Sequence, residues 1–173
     1  MIDESQNNTA QTGLQELIAK TNSAILATTN SEKQGEASYS PYVMDETGNF
    51  YIFISEAAKH TKNLMDAPTL SLMLIEDEAE CRSIFARKRL TLKCDATFIS
   101  RDDAVFDERI AQFKETHGAI VSTLVNMTDF HLVRLAPESG RLVIGFGQAY
   151  DVKGTDFSNF QHATVGHRQA KKE

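Results

Sequence analysis

The chain has 173 residues, 41% of them apolar, and a formal net charge of −6 at pH 7. That length suits one domain with a sizeable core, and no run of about 18 apolar residues is present to span a membrane. The acidic balance argues against a general nucleic-acid binder, which needs a basic face.

The first residues, Met1-Ile-Asp-Glu-Ser-Gln-Asn-Asn, are polar and acidic. They lack the basic start and apolar run of a signal peptide, and residues 1–8 read as disordered. Cys81 and Cys94 show neither CxxC nor CxxCH spacing. Reduced, inert thiols and a cytoplasmic protein are the expectation.

From residue 9 to 20, Leu14, Leu17 and Ile18 share one helical face. Ser23–Thr29 then reads as a strand, closed by the turn-like Asn30–Gly35. Ala37–Met44 alternates small or polar with larger residues. Pro41 within it cannot donate to a ladder and marks an edge or a bulge. Asp45–Gly48 is a turn, and Phe50–Ile54 a strand rich in β-formers. Ser55 is placed to cap a helix running through Lys59–Met65, which Pro68 ends. Thr69–Ile75 is a buried strand, Glu76–Glu80 a solvated loop, and Arg89–Ile99 another strand. After Ser100, Arg101–Lys114 is helical, with Val105, Phe106, Ile110 and Phe113 as its apolar stripe. A shorter helix follows near Ala119–Leu124.

The last third carries the chemistry. Asp129–Leu135 and Arg141–Phe146 read as a hairpin around a Pro137-Glu-Ser-Gly140 turn, leading into a glycine-loosened loop. The tail Gln161–Arg168 holds His162 and His167 among few apolar residues. A strand carboxylate followed by a tail imidazole is one way to build a metal or haem site. Most connections are too short for parallel crossovers. About seven antiparallel strands with a few short helices therefore suggest a barrel that closes its own edges.

Five segments carry a resemblance: Ala37-Ser-Tyr-Ser-Pro-Tyr42, Ala58-Lys-His-Thr-Lys-Asn-Leu64, Ala86-Arg-Lys-Arg-Leu-Thr91, Phe130-His-Leu-Val-Arg134 and Gly145-Phe-Gly-Gln-Ala-Tyr-Asp151. With the C-terminal histidine, they make the chain resemble the HugZ/HutZ haem-utilisation proteins, the HutZ branch in particular. These belong to the pyridoxamine 5′-phosphate oxidase-like superfamily. The resemblance runs from about residue 9 to the C-terminus. It implies a mainly β, antiparallel split barrel with peripheral helices. It divides the chain into an N-terminal lead (1–8), a barrel domain (9–160) and a tail with the haem ligand (161–173). It also implies a homodimer with haem at the subunit interface, oxidative degradation of that haem to release iron, O2 as oxidant and an external electron donor.

The resemblance implies His167 as the axial iron ligand, a role that suits neutral imidazole. Gly166 before it permits backbone angles that turn the ring inward. His162, five residues away, is the competitor. Asp129 matches the aspartate that accepts the ligand's other ring N–H, which makes the imidazole more basic. Arg89 has two open readings: a solvated strand end, or a distal or propionate contact. His60, near Lys59 and Lys62, lies where flavin relatives hold the FMN phosphate. FMN is not expected here, and His60 takes a structural or propionate-facing role. His131 reads as a packing residue and His117 as a helix C-terminal one. Two other functions use the same features: haem storage or delivery without turnover, and FMN-dependent oxidoreduction.

Overall fold

A computed structural model describes residues 4–163. These fold in the order α1 (Glu4–Lys20), β1 (Ser23–Thr29), β2 (Gly35–Met44), β3 (Phe50–Ser55), α2 (Lys59–Asp66), β4 (Thr69–Ile75), β5 (Arg89–Ile99), α3 (Ala104–His117), α4 (Ile120–Leu124), β6 (Phe130–Gly145), β7 (Gln148–Lys153) and β8 (Asp156–His162). Alternation builds the wall. In β1, Ala24, Leu26 and Thr28 turn inward, while Ser23, Ile25, Ala27 and Thr29 face out. Leu72 and Leu74 of β4, Leu90 and Leu92 of β5 and Leu142 of β6 do the same, and all five are fully buried.

The strands pair in the order β3-β2-β1-β4-β5-β6, and β3 also pairs with β6. This closes a six-stranded antiparallel barrel. β6 belongs to two sheets in turn. Its Phe130–Leu135 half pairs with β3, and its Ser139–Gly145 half pairs with β7. β7 and β8 therefore extend the wall beyond the closed barrel. Pro41 lies where β2 leaves β1 and takes up β3, so its missing N–H falls at the change of partner.

Several expectations need correction. The Pro137–Gly140 stretch is not a hairpin turn, because β6 runs through it unbroken. The signal marks a bulge: Cys94 faces Pro137 and Lys93 faces Ser139, which leaves Glu138 without a partner on β5. At Gly140 a Cβ would stand 2.3 Å from the Thr91 carbonyl oxygen, so the strands approach too closely for any side chain. The glycine-loosened segment after it is the turn of the β6–β7 hairpin, followed by regular strand. Gln161 and His162 close β8, so the region read as tail begins as sheet. Ser55 does not cap α2. Ala58 is the cap position, and it makes no side-chain cap bond.

The lead is also more ordered than its composition suggested. α1 already covers residues 4–8, and β8 holds its first turns. Asn7 Nδ2 donates to the Ser158 carbonyl (3.0 Å), and the Phe160 amide donates to Asn7 Oδ1 (3.3 Å). α3 begins at Ala104, three residues late, because the Asp103 side chain caps it by accepting from the Val105 amide (2.9 Å).

Strand Phe130–Leu135 carries apolar residues on both faces. Within the chain its outer face is covered. Phe53, Leu132 and Phe130 pack against Phe106, Ile110 and Phe113 of α3 and Val121 of α4. Large apolar residues are exposed elsewhere: Tyr39 at 70%, Phe85 at 85% and Phe146 at 68%. No helix among the described residues is long and apolar enough to cross a membrane.

Candidate functional site

Asp129 sits in the turn just before β6, held from three directions. Its carbonyl accepts from the Glu56 amide (2.9 Å). Its Oδ2 accepts from the Ser55 hydroxyl (2.7 Å). Arg101 grips the chain on both sides of it, donating to the carbonyls of Val125 (2.8 Å), Met127 (2.7 Å) and Phe130 (3.0 Å). The same guanidinium lies 5.2 Å from the centre of the Phe106 ring, which ties this segment to α3. Oδ1 of Asp129 has no hydrogen-bond partner among the described residues.

Ser55 also joins this carboxylate to α2. Its hydroxyl accepts from the Ala57 amide (3.1 Å), and its carbonyl accepts from Ala58 (3.0 Å) and the Thr61 hydroxyl (2.6 Å). His60 follows on α2, its Nδ1 2.9 Å from the Ser38 hydroxyl of β2. Burial pushes its pKa below the usual imidazole value, against the opposing pull of Glu36. Lys59 pairs with Glu36 at 2.8 Å, and Asn63 donates to Glu36 (3.1 Å) and to buried Thr28 (2.9 Å). The fold thus brings Asp129 and His60 to one end of the barrel.

Arg89 is at the other end. Ile99 faces Leu132 and Arg89 faces Val143. The ten steps of β5 between them span about 33 Å of extended chain. Arg89 stands on the outer face, beside Ile75 of β4 and Val143 of β6. Its basic neighbours are neutralised: Arg87 pairs with Glu78 (2.8 Å) and Lys88 with Glu16 (2.6 Å). Arg89 donates only to the Arg87 carbonyl (3.1 Å) and has no acidic partner among the described residues. On the same face Tyr39, Ile25 and Met73 form a cross-strand row. These residues and α1 border a groove of about 460 Å³.

The other described histidines are committed. His117 Nε2 donates to the Tyr42 carbonyl (2.9 Å) at the end of α3, as a helix C-terminal residue should. His131 Nε2 meets Glu56 Oε1 at 2.7 Å, and its ring packs edge-on against Phe98. His162 Nε2 donates to the Gly147 carbonyl (3.1 Å), with its ring against Tyr150. Burial pushes the Cys94 thiol up to about 12, too high for a reactive thiolate. The described residues contain no cluster of three or more His, Cys, Asp or Glu suited to a metal ion. His167 lies outside the described residues. Sequence reasoning missed Ser55 and Arg101 as partners of the Asp129 segment. Their contacts span 74 and 24–29 positions, which local spacing does not reveal.

The profile of the pyridoxamine 5′-phosphate oxidase family matches residues 11–144. The chain belongs to this family. Over 144 residues it is 43% identical to the Heme oxygenase HutZ of Vibrio cholerae serotype O1, covering 83% of this chain and 81% of that protein. A crystal structure of Vibrio cholerae HutZ, described as the haem storage protein, superposes with a TM-score of 0.69 at 38% identity, over 72% of this chain and 87% of that one. Campylobacter jejuni ChuZ superposes with a TM-score of 0.84 at 34% identity, over 96% of this chain and 68% of its own. The split-barrel expectation is met, and so is the likeness to the haem-utilisation proteins.

Proposed function

We propose that this protein binds haem and degrades it oxidatively, releasing iron, with O2 as oxidant and an external electron donor. Asp129 carries the reading. The Ser55 hydroxyl holds one oxygen of its carboxylate, the Glu56 amide and Arg101 hold the main chain around it, and the other oxygen has no partner among the described residues. That suits a carboxylate that orients a ligand imidazole. The likeness to a protein named heme oxygenase supports the reaction class.

Haem, as the substrate, supplies the iron at which O2 is reduced. The chain's own residues take the other parts. His167 holds the iron. Asp129 accepts the proton-bearing ring nitrogen of His167, selects its tautomer and makes it a more basic ligand. Too strong a bond would favour peroxidase-like chemistry, so moderate coupling suits an oxygenase. Arg89, which has no acidic partner among the described residues, offers its guanidinium to a propionate or to the distal face. His60, kept neutral by burial, takes a structural or propionate-facing role.

Arg89 and Asp129 stand at opposite ends of one ladder, so a single copy does not present both to one ligand. We therefore place haem between two copies of a homodimer, with the Tyr39–Ile25–Met73 face at the seam. A monomeric mass by light scattering at micromolar concentration would remove this part. The second reading, storage or delivery without turnover, is favoured by the description of HutZ as a storage protein. The deciding assay supplies haem, a reductant and O2, with catalase to destroy free peroxide, and identifies the products. Ring-opened product and released iron support degradation. Haem that stays intact supports storage.

A further inference from the structure

We infer that Ser55 sets the acceptor strength of Asp129, and through it the basicity of the imidazole that Asp129 orients. The inference rests on the Asp129 reading above. The Ser55 hydroxyl donates to Oδ2 at 2.7 Å while accepting from the Ala57 amide at 3.1 Å. Accepting one bond polarises the hydroxyl and strengthens the one it donates. A bond donated to one carboxylate oxygen draws charge from both, because the two share it by resonance. Oδ1 is thereby a weaker acceptor than it would be alone, and an imidazole bonded to it keeps more of its proton. Ser55 is thus a positioning and tuning residue that moderates the electron release of the ligand.

The main chain at Asp129 does not depend on this hydroxyl. The Glu56 amide holds its carbonyl, Ser55 and Phe130 stay paired through their backbones, and Arg101 holds Met127 and Phe130. Removing the hydroxyl therefore leaves the Asp129 main chain held, while the carboxylate loses the bond that drew its charge. Its loss makes the ligand more imidazolate-like.

The test compares the haem complexes of the wild type, Ser55→Ala, Ser55→Thr, Asp129→Asn and the double variant. The readouts are the ferrous iron–histidine stretching band and the midpoint potential. Ser55→Ala should raise the band frequency and lower the potential. Ser55→Thr keeps the hydroxyl and should hold the wild-type values. Asp129→Asn should shift both readouts the opposite way, and the double variant should match Asp129→Asn alone. If Asp129→Asn shifts the readouts and Ser55→Ala does not, or shifts them the other way, the Ser55 inference fails while the Asp129 reading stands. If Asp129→Asn shifts neither, the Asp129 reading fails and takes the inference with it. Should Ser55→Ala not fold by circular dichroism, Ser55→Cys, a weaker donor of similar size, should give a smaller shift in the same direction. No shift there overturns the inference equally.

Discussion

The two ends of the barrel are finished to different degrees. At the Asp129 end, bonds from Ser55, Glu56 and Arg101 fix one turn, and a single carboxylate oxygen is left over. At the Arg89 end, a guanidinium without an acidic partner among the described residues stands on the outer sheet face, which also carries exposed Tyr39 and Ile25 and half-buried Met73. One end is built by contacts within the chain; the other offers surface and charge that no described residue pairs with. The contrast teaches that one fold can complete the setting of one side chain within the chain while leaving another on a sheet face.

The largest effect expected is from His167→Ala. The native haem absorption should be lost, and far-ultraviolet circular dichroism should match the wild type, since no described core contact depends on residue 167. A native spectrum in this variant would pass the ligand role to another residue. Next is Asp129→Leu, which leaves the iron ligand in place but removes the acceptor. Haem should still bind at reduced affinity, and degradation should fall further, within the roughly 10–100-fold typical of losing such a partner. A wild-type rate would reduce Asp129 to a strand-start residue.

The smallest effect tests the frame rather than the site. Asp45 is partly buried, which raises its pKa. Bonds from Asn49, Thr47 and Tyr51 outweigh that and hold it down to about 2. A depressed carboxylate contributes stability above its ordinary value of 3.8, and that contribution is lost as pH falls toward about 2. Asp45→Asn should cost about 1–2 kcal/mol at neutral pH by urea unfolding. It should also flatten the stability profile between those two values. An unchanged acid limb would show that these bonds do not favour the charged form.

Most of the barrel was legible in the chain because its strands alternate or run apolar between clear turn signals. β1, β3, β4 and β5 fall within a residue of where the pattern puts them. The pattern failed where one residue type serves two geometries. Proline and glycine at Pro137–Gly140 mark a turn in most contexts, but here they mark a bulge and a close strand approach inside β6. Ser55 has a helix-capping identity, yet its hydroxyl turns to a carboxylate 74 positions away. Phe130–Leu135 carries apolar residues on both faces, but spacing does not say whether a helix or a second copy covers the outer face. For the site, resemblance supplied the roles of Asp129, Arg89, His60 and His167. The fold added that the first and third share an end and the second does not.

The most direct test uses dimers with one Asp129→Leu chain and one Arg89→Ala chain, each carrying a different tag so that the mixed dimer can be isolated. Reductant-driven haem degradation is then measured in the presence of catalase. If each site takes Asp129 from one copy and Arg89 from the other, a mixed dimer keeps one intact site of two, and turns over haem at about half the wild-type rate. Both parent homodimers should be far slower. A mixed dimer no faster than its parents would contradict the shared site, and a wild-type protein that leaves haem intact would contradict degradation itself.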